Sequence, residues 1–517
     1  MLKIKTSHFY FALSLLSPLI VLGAAEIVLF FAYQSTGKHF FQNTLESRST
    51  HKLDRTSLSY LPLDSKLGTT SVAVFGGSSA AGYGSEISFS DLLQKQLGDS
   101  FVFHNYSRSG NPFVGYQSKK LKALLPYYDV IILYSGHNEG IGYLHKKVAD
   151  NQTSFVWPNG KELTLQDVRS YSKRTDWEIN SAVDAQNSGS LKHFLLRLRT
   201  PVFVSSIPHI IKHKFLSNSF SAMSISDSVS SNSEVVDSAN GHSDLRYPFD
   251  TSDIYFSDYE RKYILNSFKA EIQNIISLLS PTQKLIIVTP VANDLYPPYL
   301  NYLNESNDKI LNHSSITSFA YKSLFKGDLA LSKIYTDQLS EGAHKYYLSS
   351  IHDCNYGSSS SRFDFYDFRL TPACLKKLAL VRDKDALSMR VLTPVNEFIL
   401  SLQNYSENVI VINAIDSFQA VQKSTRYLDN FVDILHPSAN GHLLIANSIL
   451  PAFNASSSDF INSKSLASYY DQCSPDSIQQ IKVNRGWFNA FLPISSVPNV
   501  HHHYLEKASH KLSKCEG

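Results

Sequence analysis

This chain has no excess of charge: 48 Lys and Arg stand against 45 Asp and Glu, a net +3 over 517 residues. So even a balance leaves no electrostatic footprint for nucleic acid. Cysteine is scarce, with four residues at 354, 374, 473 and 515. No two of them stand in CxxC spacing, which argues against a zinc ribbon or a redox dithiol. Large apolar residues are few between 216 and 242 (SNSFSAMSISDSVSSNSEVVDSANGH), and that stretch reads as a mobile loop or linker. What is present is 43% hydrophobic and 12% aromatic content, enough to build a core, and 517 residues suit one large domain with insertions or two or three domains.

A long apolar run occupies the N-terminal end. Lys3 and Lys5 precede a mostly apolar stretch from Phe9 to Tyr33, long enough to span a bilayer. A carboxylate at mid-membrane is expensive, so Glu26 confines the core of the span to residues 9–25, and Pro18 would kink it. Gly23, Ala24 and Ala25 offer a signal-peptidase site, but the apolar residues continue past them as IVLFFAY. We therefore expect an uncleaved, single-pass signal anchor over residues 1–35. Its basic end would face the cytoplasm, with the rest of the chain extracytoplasmic, in a bacterial periplasm or a lumen. An even number of cysteines in an oxidising compartment points to disulfides. Three connectivities exist, and proximity favours 354–374 with 473–515.

Residues 36–70 read as a stalk. From 71 to about 453 the chain shows short apolar strands at 72–75, 101–105, 130–135, 284–290 and 408–414. Helical segments are expected at 89–97, 117–125, 258–279, 316–348 (as a helix pair), 385–402 and up to Leu450. Strands alternating with helices and ending in small or polar turns predict a parallel α/β sheet. The rhythm is broken by an insertion at 145–255, read as a lid or linker, and a helical one at 300–380. Within the first, residues 191–215 have helical apolar spacing cut by Pro201 and Pro208. Residues 454–517 form a C-terminal extension.

Parallel strands put all their carboxyl ends on one edge of the sheet. The expected strand ends carry Ser78, Gly110 and Asn138, and the last helix is preceded by Asp433-Ile-Leu-His436. These types are chemically complete for acyl transfer. Ser78 would be the nucleophile, His436 its general base and Asp433 the group that holds the imidazole tautomer. The backbone N–H groups of Ser78 and Gly110 and the side-chain amide of Asn138 would stabilise the oxyanion. A Gly/Ser turn alone could equally cradle a phosphate; the three partner stretches favour the nucleophile.

These stretches resemble the SGNH (GDSL-type) hydrolase superfamily. GGSSAAG (76–82) is similar to its first block, with Ser78 on the nucleophile and Gly82 on the trailing glycine, which selects Ser78 over Ser79. NYSRSGN is similar to the second block, with Gly110 on the oxyanion glycine. SGHNE matches the third through Gly136 and Asn138, and DILHP the last through Asp433 and His436. Gly77 and Glu139 stand where the family usually has Asp. Both departures resemble a bacterial subgroup that reads FGGSS and GHNE and often carries helical-repeat segments. IIVTPVANDLYPP and RDKDALSMRVLTPVNEFI are similar to that subgroup as well, and within them Asn293 and Arg390 are candidates for the pocket as much as for structural roles. The likeness covers about 71–140 and 284–450. It implies a flavodoxin-like three-layer sandwich on a parallel five-stranded sheet.

With the N-terminal anchor read from the apolar run, the resemblance implies a membrane-anchored serine esterase acting on a carboxylic ester, an O-acetyl glycan or a lipid-like acyl ester, with no metal and no organic cofactor. Two rivals share the residues. One is an O-acyltransferase on the same site; the other is an inactive scaffold of an envelope polysaccharide system that docks a protein through 300–400. Among neighbouring residues, His137 reads as a support rather than a catalyst, and His442 as a residue of the closing helix away from the site. Glu139 reads as a partner of local backbone N–H groups. The run His501–His503 reads as a solvated tail. Sequons at Asn151, Asn304, Asn312, Asn404 and Asn454 matter only in a host that glycosylates.

Overall fold

The computed structural model describes residues 69–83, 85, 87–151, 154–156, 162–187, 256–298, 314–355, 370–385, 390–420, 430–432, 434–455 and 461. The N-terminal span, nearly all of the stalk, segments 191–215 and 216–242, Asp433, Cys473, Cys515 and His501–His503 lie outside the described residues. The chain divides into two compact units, Met1–Ser57 with Asp184–His242, and Leu58–Val183 with Ser243–Gly517. Apart from residues 184–187, the described residues belong to the second unit. Among the described residues no helix is long and apolar enough to cross a membrane.

Five strands form one sheet: β1 (Thr70–Gly76), β2 (Phe101–Asn105), β3 (Val130–Tyr134), β6 (Lys284–Val288) and β7 (Val409–Ile412). Their order is β2-β1-β3-β6-β7, and every pair is parallel. This is the doubly wound order in which the direction of winding reverses between β1 and β3, and the crevice at that switch point is where such sheets bind ligands. A small antiparallel pair, β4 (Phe155–Val156) and β5 (Glu162–Leu163), lies apart from the sheet.

Both faces are covered, so the strands read as continuous apolar runs. Val72, Val74, Val130, Ile132, Ile286 and Val288 point into one core. There they meet α1 (Phe89–Leu97), α11 (Ala414–Ala420) and α12 (Ala439–Ile449), through residues such as Phe89, Phe418 and Ile445. The alternate residues Ala73, Phe75, Ile131, Leu133, Leu285 and Ile287 point the other way. They pack on α2 (Ser118–Leu124), α5 (Asp258–Ser277) and α10 (Thr393–Ser401), through Leu121, Phe268 and Ile399. The three-layer α/β arrangement expected from the sequence is present.

Local chemistry sets the helix starts. Ser88 and Asp91 form a reciprocal capping box at α1, and Ser257 with Glu260 does the same at α5. The expected single helix at 385–402 is not formed. Instead α9 (Pro372–Arg382) ends early and α10 begins at Thr393. Pro394 explains the break: without an N–H it suits a first helical turn and disrupts a helix interior. The expected helix pair at 316–348 is three helices, α6 (Ser314–Phe325), α7 (Leu329–Asp337) and α8 (Ala343–Asn355). Cys354 at the end of α8 is bonded to Cys374 in α9. Residues 145–187 hold the end of α3 (Glu139–Asn151), the small β-pair and the long α4 (Leu165–Asn187).

Candidate active site

Ser78 sits in the turn that leaves β1. The turn is closed by Ala81 N–H to Gly77 O (3.1 Å) and Tyr83 N–H to Ser78 O (3.0 Å). His436 comes from a tight loop before α12, braced by Val432 N–H to His436 O (2.9 Å) and a bridge between Phe431 and Pro437. The two side chains meet: His436 Nε2 lies 2.7 Å from Ser78 Oγ. Both residues are buried, at 2% and 5% exposure. The neighbouring Ser79 turns away and donates from Oγ to Leu435 O at 3.1 Å. It binds the serine turn to the histidine loop, while Ser78 faces the imidazole. Asp433 lies outside the described residues, so no partner of the histidine is assigned to it.

The loops after β2 and β3 close on the same turn. Gly110 adopts φ 70°, a left-handed conformation that favours glycine. Asn138 donates from Nδ2 to Asn111 O at 3.1 Å. A Cβ built on Gly77 would lie 2.3 Å from Asn138 Nδ2, so the loop after β3 packs directly on the residue before Ser78. This explains the glycine at 77: in this chain any side chain there would displace the asparagine amide. The N–H groups of Ser78 and Gly110 donate to no protein acceptor among the described residues, and Asn138 uses one of its two amide hydrogens. Among the described residues these three donors are unengaged, and the Asn138 amide packs on the residue before Ser78.

Of the remaining sequence candidates, Asn293 and Arg390 are brought near the histidine loop, but as supports. Arg390 is buried and donates to Asn293 O (3.0 Å) and Tyr296 O (2.8 Å). Asn293 N–H in turn donates to Ile434 O at 2.9 Å, in the loop that carries His436. With its guanidinium on these backbone carbonyls and 3.5 Å from the Asp385 carboxylate, Arg390 braces the segment that holds the histidine loop. His442 lies on α12 and accepts Phe89 N–H on Nδ1 at 3.3 Å, away from Ser78. Glu139 accepts Phe113 N–H (2.9 Å) and Val114 N–H (3.3 Å), which fixes the turn after Gly110. Burial pushes its carboxyl up to about 7 against those bonds.

His137 accepts Val391 N–H on Nδ1 at 3.1 Å, which puts the remaining proton of the neutral ring on Nε2. Burial, then His436 and Arg382, lower it to about 3. A neutral imidazole here places no positive charge beside His436.

Several contributors to the site carry no motif. Tyr171 on α4 donates from its hydroxyl to Ser109 O at 3.2 Å, next to Gly110. Arg108, two residues before Gly110, pairs with Glu178 at 2.7 Å, and Lys120 pairs with the other oxygen of Glu178 at 2.7 Å. Burial raises the Glu178 carboxyl, but Lys120 and Arg108 overcome it and hold the group below its usual range. The available signal was the Thr164-Leu-Gln-Asp167 cap, whose Asp167 carboxylate accepts both the N–H and the hydroxyl of Thr164. It announces a helix, not what the helix will touch. Among the described residues no cluster of three or more His, Cys, Asp or Glu could hold a metal.

No family model matches this chain, and no curated protein matches it. Among solved structures it is similar to a catalytic mutant of Axe2, an acetylxylan esterase from Geobacillus stearothermophilus. That likeness covers 77% of this chain and 99% of the other at 10% identity, with a TM-score of 0.25. A score that low carries no inference about fold or function.

The buried ionisable groups give a pH signature. Burial lowers His104, His145 and His344 to about 4 and His137 to about 3, against 6.5 when unfolded. The unfolded chain therefore takes up protons that the folded chain refuses, and stability is lost as the pH falls from 6.5 towards 4. Glu139 opposes this. Its folded value of about 7 against 4.5 makes its contribution full below pH 4.5 and lost as the pH rises through 7. We expect urea midpoints to fall on acidification through this range. Glu139→Gln should steepen that fall; a flat or rising profile in the variant would contradict the assignment.

Proposed function

We propose that this chain is a serine hydrolase of carboxylic esters, of the SGNH type. The observation that carries the reading is the 2.7 Å contact between His436 Nε2 and Ser78 Oγ, with the three donors unengaged among the described residues. His436 takes the Ser78 proton as the oxygen attacks the ester carbonyl. The tetrahedral oxyanion is received by the N–H groups of Ser78 and Gly110 and the amide of Asn138. His436 then gives its proton to the leaving alkoxide, and an acyl group remains on Ser78. Water, deprotonated by the same imidazole, releases the acid and restores the serine. Asp433, three residues before His436, is our choice for the carboxylate that orients the ring. The ester would be an O-acetyl group on a glycan or a lipid-like acyl ester. None of these steps requires a metal or an organic cofactor.

We further propose that residues 1–35 anchor the hydrolase in a membrane with its catalytic unit outside the cytoplasm, on the strength of Lys3, Lys5 and the apolar run to Tyr33. A reporter fused to the C-terminus should be active only outside the cytoplasm; cytoplasmic activity would overturn this topology.

Turnover of a simple aryl acetate tests the chemistry. Ser78→Ala and His436→Ala should each lower kcat by roughly three orders of magnitude or more, as expected for members of a catalytic unit, with stability little changed. Near-normal turnover in His436→Ala would assign the base elsewhere. Near-normal turnover in Ser78→Ala would remove the nucleophile.

A further inference from the structure

A cavity of about 530 Å³ opens between α3, α4, α5 and the irregular turn at 113–117. Neither Ser78 nor His436 lines it. We propose that it is a binding subsite for an acidic sugar unit of the ester substrate, which rests on the esterase reading above.

The lining has the chemistry of a saccharide site. Tyr116, Tyr143 and Tyr263 supply rings, and Ser172 and Ser267 supply hydroxyls, above an apolar base of Val114, Val168 and Ile264. Rings over an apolar base pack against the C–H faces of a pyranose, and hydroxyls meet its polar edge. The charge at the rim is cationic. Arg169 is exposed and makes no ion pair among the described residues, and Lys146 beside it pairs with Asp150. An unpaired guanidinium presents a planar fork that fits a carboxylate. Glu139, the one carboxylate in the lining, is already committed to the N–H groups of Phe113 and Val114. An anion entering the cavity therefore meets a free cation and no free carboxylate.

The cavity is also wired to the oxyanion loop. Its wall residues Tyr116 and His145 are in contact, with the Tyr116 hydroxyl 3.2 Å from His145 Nδ1. Both rings pack edge-on against Tyr171, with centroids 5.1 Å away in each case. Tyr171 holds Ser109 O, and the Arg108 guanidinium lies 5.0 Å from its ring centre. A sugar seated against Tyr116 is thus one ring removed from the residue that precedes Gly110. An acyl chain would suit the apolar base but leave the hydroxyls and the guanidinium without partners, which disfavours it.

Calorimetry on the full chain carrying Ser78→Ala reads binding without turnover. Trigalacturonate should bind at least about tenfold more tightly than cellotriose or decanoate, and Arg169→Ala should remove about that factor, as expected for one charge-assisted contact. Arg169→Lys should restore part of it. Equal binding of the acidic and neutral trisaccharides, tighter binding of decanoate, or indifference to Arg169→Ala would overturn the proposal. Failure of binding with Ser78-dependent ester turnover intact removes the subsite alone. Binding retained while turnover proves independent of Ser78 removes the esterase reading and leaves the saccharide site.

Discussion

The site depends on a 2.7 Å hydrogen bond between side chains 358 residues apart in sequence. Neither residue can hold that distance by itself, since both sit on loops. The sheet edge supplies the stiffness. The last five residues of β1 are buried up to the serine turn, and the histidine loop is held from two sides, by Ser79 Oγ on Leu435 O and by Asn293 N–H on Ile434 O. Arg390 stands behind the second of these and carries the carbonyls of Asn293 and Tyr296. Removing such a brace leaves buried carbonyls unpaired and lets a loop drift, and small displacements of reacting groups are costly in rate.

The loops after β2 and β3 are held differently. They rest on close packing, with Gly77 against Asn138, and on buried charge, with Glu178 shared by Arg108, Lys120 and Arg174. Buried ion pairs are poor sources of net stability, because desolvation offsets their attraction. Their effect here is geometric. Arg108 and Lys120 converge on one carboxylate of α4, and Arg108 lies two residues from Gly110, so the helix ties down the loop that carries this glycine.

Much of this was legible in the sequence because it depends on short-range chemistry. Apolar runs marked the five strands, and the trailing Gly82, through the family resemblance, selected Ser78 over Ser79. The bonded pair Cys354–Cys374 is the proximal one that was expected. What stayed hidden depends on contacts across the fold. The sequence does not show that the Arg390 guanidinium lies on the backbone carbonyls of Asn293 and Tyr296. Nothing in the local sequence of α4 says that Tyr171 and Glu178 face the loop of Arg108, Ser109 and Gly110. Pro394 was a local signal for the break before α10, and reading a single helix through 385–402 passed over it.

The central claim is that Ser78 Oγ is the atom that attacks. Peptide mapping of the full chain after reaction with a fluorophosphonate tests it most directly. The account predicts one adduct, on Ser78, that fails to form in His436→Ala at the rate of the parent. An adduct on Ser79, or on Ser78 at an unchanged rate without the histidine, would contradict it.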